Sequence, residues 1–260
     1  MTPGTAPAAS LALLYRQPRV LQPGLHSGLG FAGNGLYGFA AEANAVPLLA
    51  AEMAAAGRRL PIVFTGNSVP QASAVLGLRT RQNLCVDTAG RWLAGPHVPA
   101  YLRRYPFIFL EDSARQELTL CIDEAATVAV GADAPALFDS EGQPTATTRS
   151  ALAFCRDYQA HRLLTADFCQ AVAAAGLLVD KHADITLHDG RPLRLDGFQV
   201  IDEARFNQLP AETLAQWRDK GWLAPVYAHL QSLDNWRTLI DLAREAAPAV
   251  PGLPAGTVSH

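Results

Sequence analysis

The sequence predicts an α+β fold with mainly antiparallel strands and with helices near the start, the middle and the C-terminus. Short apolar runs follow one another between positions 60 and 123, separated by turn-like pieces such as "DTAG" and "EDSARQE". Such short spacing favours hairpins over crossover helices. Longer stretches with helical periodicity flank these runs. Hydrophobic residues make up 49% of the 260 residues and charged residues 17%, which excludes a disordered chain.

The elements of the first half follow from local patterns. The stretch "NAVPLLAAEMAAAG" predicts a helix that Asn44 caps, that tolerates Pro47 in its first turn and that ends at Gly57. Five strands are then predicted, at "LPIVF", "SAVLGL", "NLCVD", "FIFLE" and "LTLCID". Residues 126–147 are rich in Ala, Asp, Gly, Pro and Thr, which is typical of a surface loop.

The second half alternates helices with one hairpin. A helix is predicted over residues 148–175, with a break near Thr165 and an end at Gly176. The run "ITLHDGRPLRL" predicts a hairpin that turns at Asp189-Gly190, and "GFQVID" continues its sheet. Two amphipathic helices follow, "PAETLAQWRDKG" and "APVYAHLQSLDNWRTLIDLAREA".

These elements predict one domain with two irregular ends. Residues 1–35 are expected to form a flexible N-terminal arm, because Pro, Gly and Ser occur throughout them. Residues 36–247 form a single α+β domain, with a subdivision near 126–147 left open, and residues 248–260 form a frayed tail.

Charge and composition exclude several classes of protein. The net charge of −3 provides no attraction for nucleic acid or anionic membranes. No run approaches the roughly 20 apolar residues of a membrane span, so we expect no membrane insertion. No basic residue precedes the short apolar piece "LALLY", so we expect no secretory signal and a cytoplasmic location. An excess of arginine over lysine, together with many alanines, indicates a high-GC bacterial gene.

No pattern indicates a metal or a cofactor. The spacing of Gly28, Gly30 and Gly33 is that of a dinucleotide loop, but neither the required strand nor the required helix accompanies it. The four cysteines are far apart and form no C-x-x-C pair, which predicts buried, reduced thiols: Cys85, Cys121, Cys155 and Cys169.

Two predicted strands end in the same letters. "TLCIDEA" places Asp123 and Glu124 at one strand end, and "QVIDEA" places Asp202 and Glu203 at another. If the two strands lie side by side, the four carboxylates could share acid and base roles or hold a hard cation. The alternative, which we favour, is that each Asp caps the turn or helix that follows it.

The stretch "VPAYLRRYPF" is the strongest candidate for a binding surface. Pro99 can begin a short helix that Pro106 ends, with Tyr101 and Tyr105 on one face and the pair at positions 103 and 104 pointing elsewhere. Tyrosine and arginine give large contacts with small entropic losses, which suits partner recognition. The alternative is that the tyrosines anchor the corner to the core and that the two arginines are solvated or pair with Glu111 and Asp112.

Several motifs together resemble the bacterial SapC family. In order they include "NAVPLLAAEM", "LGLRTRQNLCVDTAGRW", "VPAYLRRYPF", "LCIDE", "GFQVIDEARFNQLP" and "YAHLQSLDNW", and the resemblance covers roughly residues 38–240. The family takes its name from a surface-layer-associated protein. Its genes often neighbour those of TonB-dependent receptors, flavin-dependent halogenase-like proteins and cupin-like oxygenases. The resemblance implies no catalytic residue. The positions that match the family's motifs are Pro99, Tyr101, Leu102, Arg103, Arg104, Tyr105, Pro106, Asp123, Glu124, Asp202, Glu203, His229, Ser232 and Leu233.

Three functions therefore compete. The one we prefer is a non-catalytic accessory protein that binds a peptide or protein partner through Tyr101, Arg103, Arg104 and Tyr105. That partner would be an oxygenase or a flavin-dependent halogenase-like enzyme of a TonB-receptor-linked system, as the resemblance implies. The alternatives are an enzyme that uses the paired carboxylates, with or without a metal, and a structural surface-layer protein.

Overall fold

A computed structural model describes residues 14–33, 35–66, 69–112, 117–186 and 192–245. The strands in these ranges are β1 (Pro18–Val20), β2 (Leu29–Phe31), β3 (Ala45–Pro47), β4 (Ile62–Thr65), β5 (Gln71–Val75), β6 (Phe107–Asp112), β7 (Glu117–Asp123), β8 (Thr127–Ala129), β9 (Leu178–Thr186) and β10 (Pro192–Ile201). The helices are α1 (Pro23–His26), α2 (Met53–Ala56), α3 (Ala100–Arg103), α4 (Ala146–Ala174), α5 (Glu203–Phe206), α6 (Ala211–Asp219), α7 (Leu223–Ser232) and α8 (Trp236–Glu245). Short 3-10 turns lie at Gly38–Ala40, Ala50–Glu52, Glu124–Ala126 and Leu233–Asn235.

The strands form antiparallel sheets, which confirms the predicted α+β class. A five-stranded sheet has the order β3-β5-β4-β10-β9, and a three-stranded sheet has the order β1-β7-β6. Strands β2 and β8 form a separate pair. The predicted strand "NLCVD" is instead a turn with a single bridge between Val86 and Trp92, so it joins neither large sheet.

From residue 14 onward, the N-terminal segment differs from the flexible arm predicted for residues 1–35, and residues 1–13 lie outside the described residues. Residues 18–20 pair with β7, and residues 29–31 pair with β8. Leu14 and Tyr15 are buried in the main core, and the Tyr15 hydroxyl donates to the Phe107 carbonyl oxygen at 2.7 Å. Tertiary pairing thus overrides the loop-like composition of this segment.

The predicted first helix begins later than its sequence pattern indicates. Residues 45–47 form the edge strand β3, where Pro47 is tolerated because an edge strand does not need every backbone donor. Pairing of Val46 with Ala74 of β5 buries the valine side chain, which is 1% exposed. Asn44 therefore caps no helix, and the helical turns begin only at Ala50.

Helix α4 runs through 29 residues without the predicted break at Thr165. The Thr165 hydroxyl donates to the His161 carbonyl oxygen one turn back and accepts the Ala50 amide, so it satisfies its polar group inside a continuous helix. The Thr145 side chain caps the helix by accepting the Thr148 amide. Gly176 has a φ of +67° and closes the helix, as predicted.

Three apolar clusters hold these layers together. The largest lies between the five-stranded sheet and helices α2, α4, α6 and α7. Helix α8 covers a second cluster that contains Val63, Leu84 and Leu239. The third lies between the three-stranded sheet and α4 and contains Phe107, Ile122 and Leu137.

All four cysteines are buried and free of disulfides, as predicted. No helix within the described ranges is long and apolar enough to cross a membrane. The predicted Asp189-Gly190 turn and the tail 248–260 lie outside the described residues.

Candidate functional site

The corner that leads from α3 into β6, which we call the tyrosine–arginine corner (residues 99–106), is anchored by a buried carboxylate. Glu52 is 8% exposed, and its Oε2 accepts the Ala100 amide at 2.8 Å. Its Oε1 accepts the Leu49 amide at 3.0 Å, and His97 Nε2 lies 3.1 Å from Oε2. Glu52 thereby fixes the first turn of α3 against the 3-10 turn that precedes α2.

Arg104 lies inside the corner and is surrounded by aromatic rings. Its guanidinium carbon lies 4.4 Å from the ring centres of both Tyr101 and Tyr158, and 5.8 Å from that of Tyr15. Its Nε is buried without a hydrogen-bond partner. Among the described residues, no carboxylate lies within ion-pair distance of Arg104. The cation is therefore stabilised by the faces of aromatic rings and by a hydrogen bond with the Tyr101 side chain rather than by a counter-charge.

The surrounding phenols remain protonated at neutral pH. Burial raises the pKa of Tyr158 to about 12, although the nearby Arg104 opposes this effect. Burial likewise raises the pKa of Tyr15 far above its usual value. These tyrosines therefore surround Arg104 with dipoles and ring faces and do not neutralise its charge.

Arg103 and Tyr105 point to the accessible side of the corner. Arg103 is exposed, its Nε donates to the Val98 carbonyl oxygen at 2.9 Å, and its guanidinium carbon lies 5.2 Å from the ring centre of Phe154. The ring of Tyr105 stacks on Phe39 with a centroid distance of 3.9 Å. Burial and the nearby Asp123 raise the pKa of Tyr105 to about 12, and its hydroxyl donates to Asp123 Oδ2 at 3.2 Å.

The four predicted partner-binding residues thus separate into two roles. Tyr101 is only 5% exposed and packs in the core, so this tyrosine anchors the corner. The sequence pattern indicated that Arg103 and Arg104 both point away from the tyrosines. The structure corrects this for Arg104, because its guanidinium turns inward onto the tyrosine rings. Arg103 and Tyr105 remain the accessible pair.

Three cavities adjoin the corner and share its side chains. Cavity A, of about 340 Å³, lies between Phe31, Tyr37, Phe39, Arg103 and Tyr105. Cavity B, of about 500 Å³, is lined by Phe31, Arg103, Arg104, Tyr105, Ser150 and Phe154. Cavity C, of about 200 Å³, is lined by Arg104, Glu111, Cys155, Tyr158, Gln159 and Arg162. Shared lining residues make the three cavities neighbours around one corner.

The cavities continue along successive turns of α4. Cavity B contacts residues 146–154 of this helix, and cavity C contacts residues 155–162. Cavity D, of about 330 Å³, shares Tyr158 and Arg162 with cavity C and extends to Ala166 and the exposed Val69. From Thr147 to Ala166 the helix rises by about 28 Å. We call this row of cavities along α4 the α4 groove (cavities B, C and D).

The four carboxylates of the two strand-end motifs do not converge on one site. Strands β7 and β10, which end in the two repeated motifs, belong to different sheets, so they do not lie side by side. Asp123 is fully buried and accepts the amides of Arg16, Gln17 and Ala125. Glu124 lies 3.0 Å from Arg19 and 3.7 Å from His26.

The second motif has partners of its own. Asp202 caps α5 by accepting the Arg205 amide at 3.1 Å, and the Arg205 side chain lies 3.5 Å from the same carboxylate. Glu203 is exposed in the first turn of α5. None of the four carboxylates lines cavities A to D. Both aspartates therefore act as caps, which is the interpretation that the sequence favoured.

No metal site is apparent in the described part of the chain, where no three His, Cys, Asp or Glu side chains converge. The buried thiols are weak nucleophiles, because burial raises the pKa of Cys85 to about 12 and that of Cys155 to about 11.

Two further motif residues hold helix α7 to the central strands. His229 Nε2 accepts the Ile201 amide at 3.0 Å, and Ser232 Oγ accepts the Ile62 amide at 3.0 Å. Burial lowers the pKa of His229 to about 4, so its imidazole is neutral at physiological pH. These residues stabilise the fold and do not face the α4 groove.

Sequence reasoning missed several residues of the site, namely Tyr15, Phe39, Glu52, Tyr158 and Arg162. Most of them are distant from the corner in sequence, and only folding brings them together. One signal was available: Phe154, Tyr158 and Arg162 recur at intervals of four, which places them on one face of a helix. The predicted break at Thr165 obscured that face.

Comparison with known proteins agrees with the resemblance of the motifs. The family model described as SapC matches residues 21–239, which is most of the chain. No curated protein and no solved structure matches the chain. Because this match spans most of the chain, including the tyrosine–arginine corner, the chain belongs to the SapC family.

Proposed function

We propose that this protein is a non-catalytic accessory protein of the bacterial cytoplasm that binds an extended segment of a protein partner in the α4 groove. The observation that carries the proposal is the junction of three cavities at the tyrosine–arginine corner, where Arg104 lies without a carboxylate partner in the described structure. Sites of this kind, with rigid aromatic and arginine side chains around a recess, resemble the centres of protein interfaces.

The dimensions of the groove support an extended ligand. An extended chain advances about 3.3 Å per residue, so the roughly 28 Å between Thr147 and Ala166 accommodates about eight or nine residues. Phe154 offers an apolar contact in cavity B, and Val69 offers one in cavity D. Side chains of the partner would enter the separate cavities while its backbone follows the helix.

The nature of the partner follows from the family. We propose an oxygenase or a flavin-dependent halogenase-like enzyme, the kinds of protein whose genes neighbour those of the SapC family. The carboxylate enzyme has less support, because the aspartates of both motifs are engaged as caps. A surface-layer role has no specific feature in its favour.

The test is affinity capture from the native host with variants that change the groove but not the core. Arg103→Glu reverses an exposed charge between cavities A and B, and Ser150→Trp fills cavity B from an exposed position on α4. Arg156→Glu is the matched control, because Arg156 is exposed on α4 and lines none of the cavities A to D. Unfolding midpoints would verify that all three variants fold.

We expect the wild type and Arg156→Glu to capture the same protein and the two groove variants to lose it at least tenfold. Equal capture by all four proteins would overturn the proposal. A stoichiometric small molecule, recovered with the wild type in place of a protein, would instead identify a small-molecule carrier or an enzyme.

A further inference from the structure

We propose that cavity C is a subsite for a single carboxylate group carried by the bound partner segment. This inference rests on the proposed function and adds to it the chemistry of one contact. Its occupant would be the side chain of an aspartate or glutamate, or a chain terminus, that enters between Arg104 and Arg162.

The first argument is the charge of the cavity. Its lining contains two arginines, Arg104 and Arg162, and one carboxylate, Glu111, which leaves a net charge of +1. The other ionisable groups are neutral, because burial raises the pKa of Tyr158 to about 12 and that of Cys155 to about 11. One negative charge on a ligand balances the net positive charge of this lining, whereas the two negative charges of a dianionic phosphate exceed it.

The second argument is the state of Arg104. Arg104 is half-buried and stays charged at any physiological pH, and a cation that is partly withdrawn from water without a counter-ion is costly even over aromatic rings. Its Nε is buried and has no hydrogen-bond partner, so the residue is not fully satisfied within the described structure. A carboxylate in cavity C would supply the missing counter-charge.

The third argument is that a carboxylate of the protein already binds in this cavity. Glu111 Oε1 accepts from Arg162 Nη2 at 2.6 Å and from Gln159 Nε2 at 3.0 Å. The side chain of Glu111 is 50% exposed, and such surface ion pairs contribute little to stability. An incoming carboxylate can therefore take its place on Arg162 at small cost, so Glu111 acts as an internal competitor.

This competition gives a test in which one substitution strengthens binding. The probe is phenylacetate, with the neutral phenylacetamide of similar shape as its control, and calorimetry with the full-length protein measures both affinities. We expect phenylacetate to bind at least tenfold more tightly than phenylacetamide. Glu111→Gln should bind phenylacetate severalfold more tightly than the wild type, and Arg162→Gln should bind it about tenfold more weakly. The control variant, Arg156→Gln, should match the wild type.

Any one of four results would overturn the inference. The first three are equal binding of phenylacetate and phenylacetamide, an unchanged affinity in Glu111→Gln, and tighter binding of inorganic phosphate than of phenylacetate. Absence of any phenylacetate binding to Glu111→Gln would also overturn it, since that variant removes the competitor. None of these results affects the capture test with Arg103→Glu and Ser150→Trp, so the subsite can fail while the proposed function stands.

The source of the carboxylate is tested in the capture experiment itself. If the partner protein carries it, excess phenylacetate should release the captured partner, whereas equal phenylacetamide should not. Retention of the partner while phenylacetate is bound would assign the cavity to a free small carboxylate and would refute this form of the proposal.

Discussion

Replacement of Asp123 by alanine should destabilise the protein far more than the same change at its sequence counterpart, Asp202. Asp123 is fully buried and accepts the Gln17 amide at 2.8 Å and the Arg16 amide at 3.0 Å. The Tyr105 hydroxyl adds a bond of 3.2 Å. Asp202 is partly exposed, and in the described structure its side chain accepts only one backbone amide, that of Arg205.

The magnitudes follow from the bonds that are lost. A hydrogen bond to a charged group contributes about 1.5–3 kcal/mol, and Asp123→Ala removes two short ones, from the amides of Arg16 and Gln17. Loss of the two short amide bonds therefore predicts a cost of about 3–5 kcal/mol for Asp123→Ala. Loss of a helix cap predicts about 1 kcal/mol for Asp202→Ala. Asp123→Asn keeps one carbonyl oxygen as an acceptor and should fall between these values.

Urea unfolding at neutral pH, followed by tryptophan fluorescence, would measure these differences. Limited trypsin digestion would provide a second observable, because release of the N-terminal segment should expose the backbone around Arg16 and Arg19. Equal destabilisation by the two alanine variants would refute the argument that Asp123 clamps the N-terminal segment. In that case the burial and hydrogen bonds of Asp123 would not determine how much this residue contributes to the free energy of unfolding.

Two further predictions concern the core. Gly77→Ala should lower the free energy of unfolding by about 1–3 kcal/mol, because a Cβ atom there would lie 1.9 Å from the Gln82 carbonyl oxygen. Gly131→Ala, where nothing lies within 4 Å, should have little effect in the same urea titration. The pKa of His229 is lowered by burial to about 4, so its neutral form stabilises the fold fully above pH 6.5, and this contribution is lost as the pH falls towards 4. The loss of unfolding free energy should reach about 3 kcal/mol in the wild type and should be absent in His229→Gln. Equal pH profiles of unfolding for the two proteins would contradict the stabilising role of neutral His229.

The sequence predicted the elements whose local patterns are strong. Strands β4, β6 and β7 and the closure of α4 by Gly176 follow from apolar runs and from glycine at a helix end. It failed where tertiary contacts compensate for a weak local pattern. Thr165 indicated a break, but inside α4 its hydroxyl finds both a donor and an acceptor.

The candidate site, like the fold, could be predicted from the sequence only in part. The corner itself was predictable, because two prolines, two tyrosines and two arginines within eight residues combine rigidity with large contact surfaces. The roles within it were not predictable. Whether Arg104 faces solvent or rings depends on Tyr15 and Tyr158, which are distant in sequence and contribute the faces on which it lies.

By itself, then, the sequence determined the α+β class, the corner at residues 99–106 and the caps at the two matching strand ends, because backbone propensity and side-chain chemistry act locally. The tertiary structure alone decided that β7 and β10 lie in different sheets, that residues 18–20 complete one of them and that Arg104 and Arg162 border one cavity. These features depend on contacts between residues far apart in the chain, which form only when the apolar clusters pack and which no local pattern records.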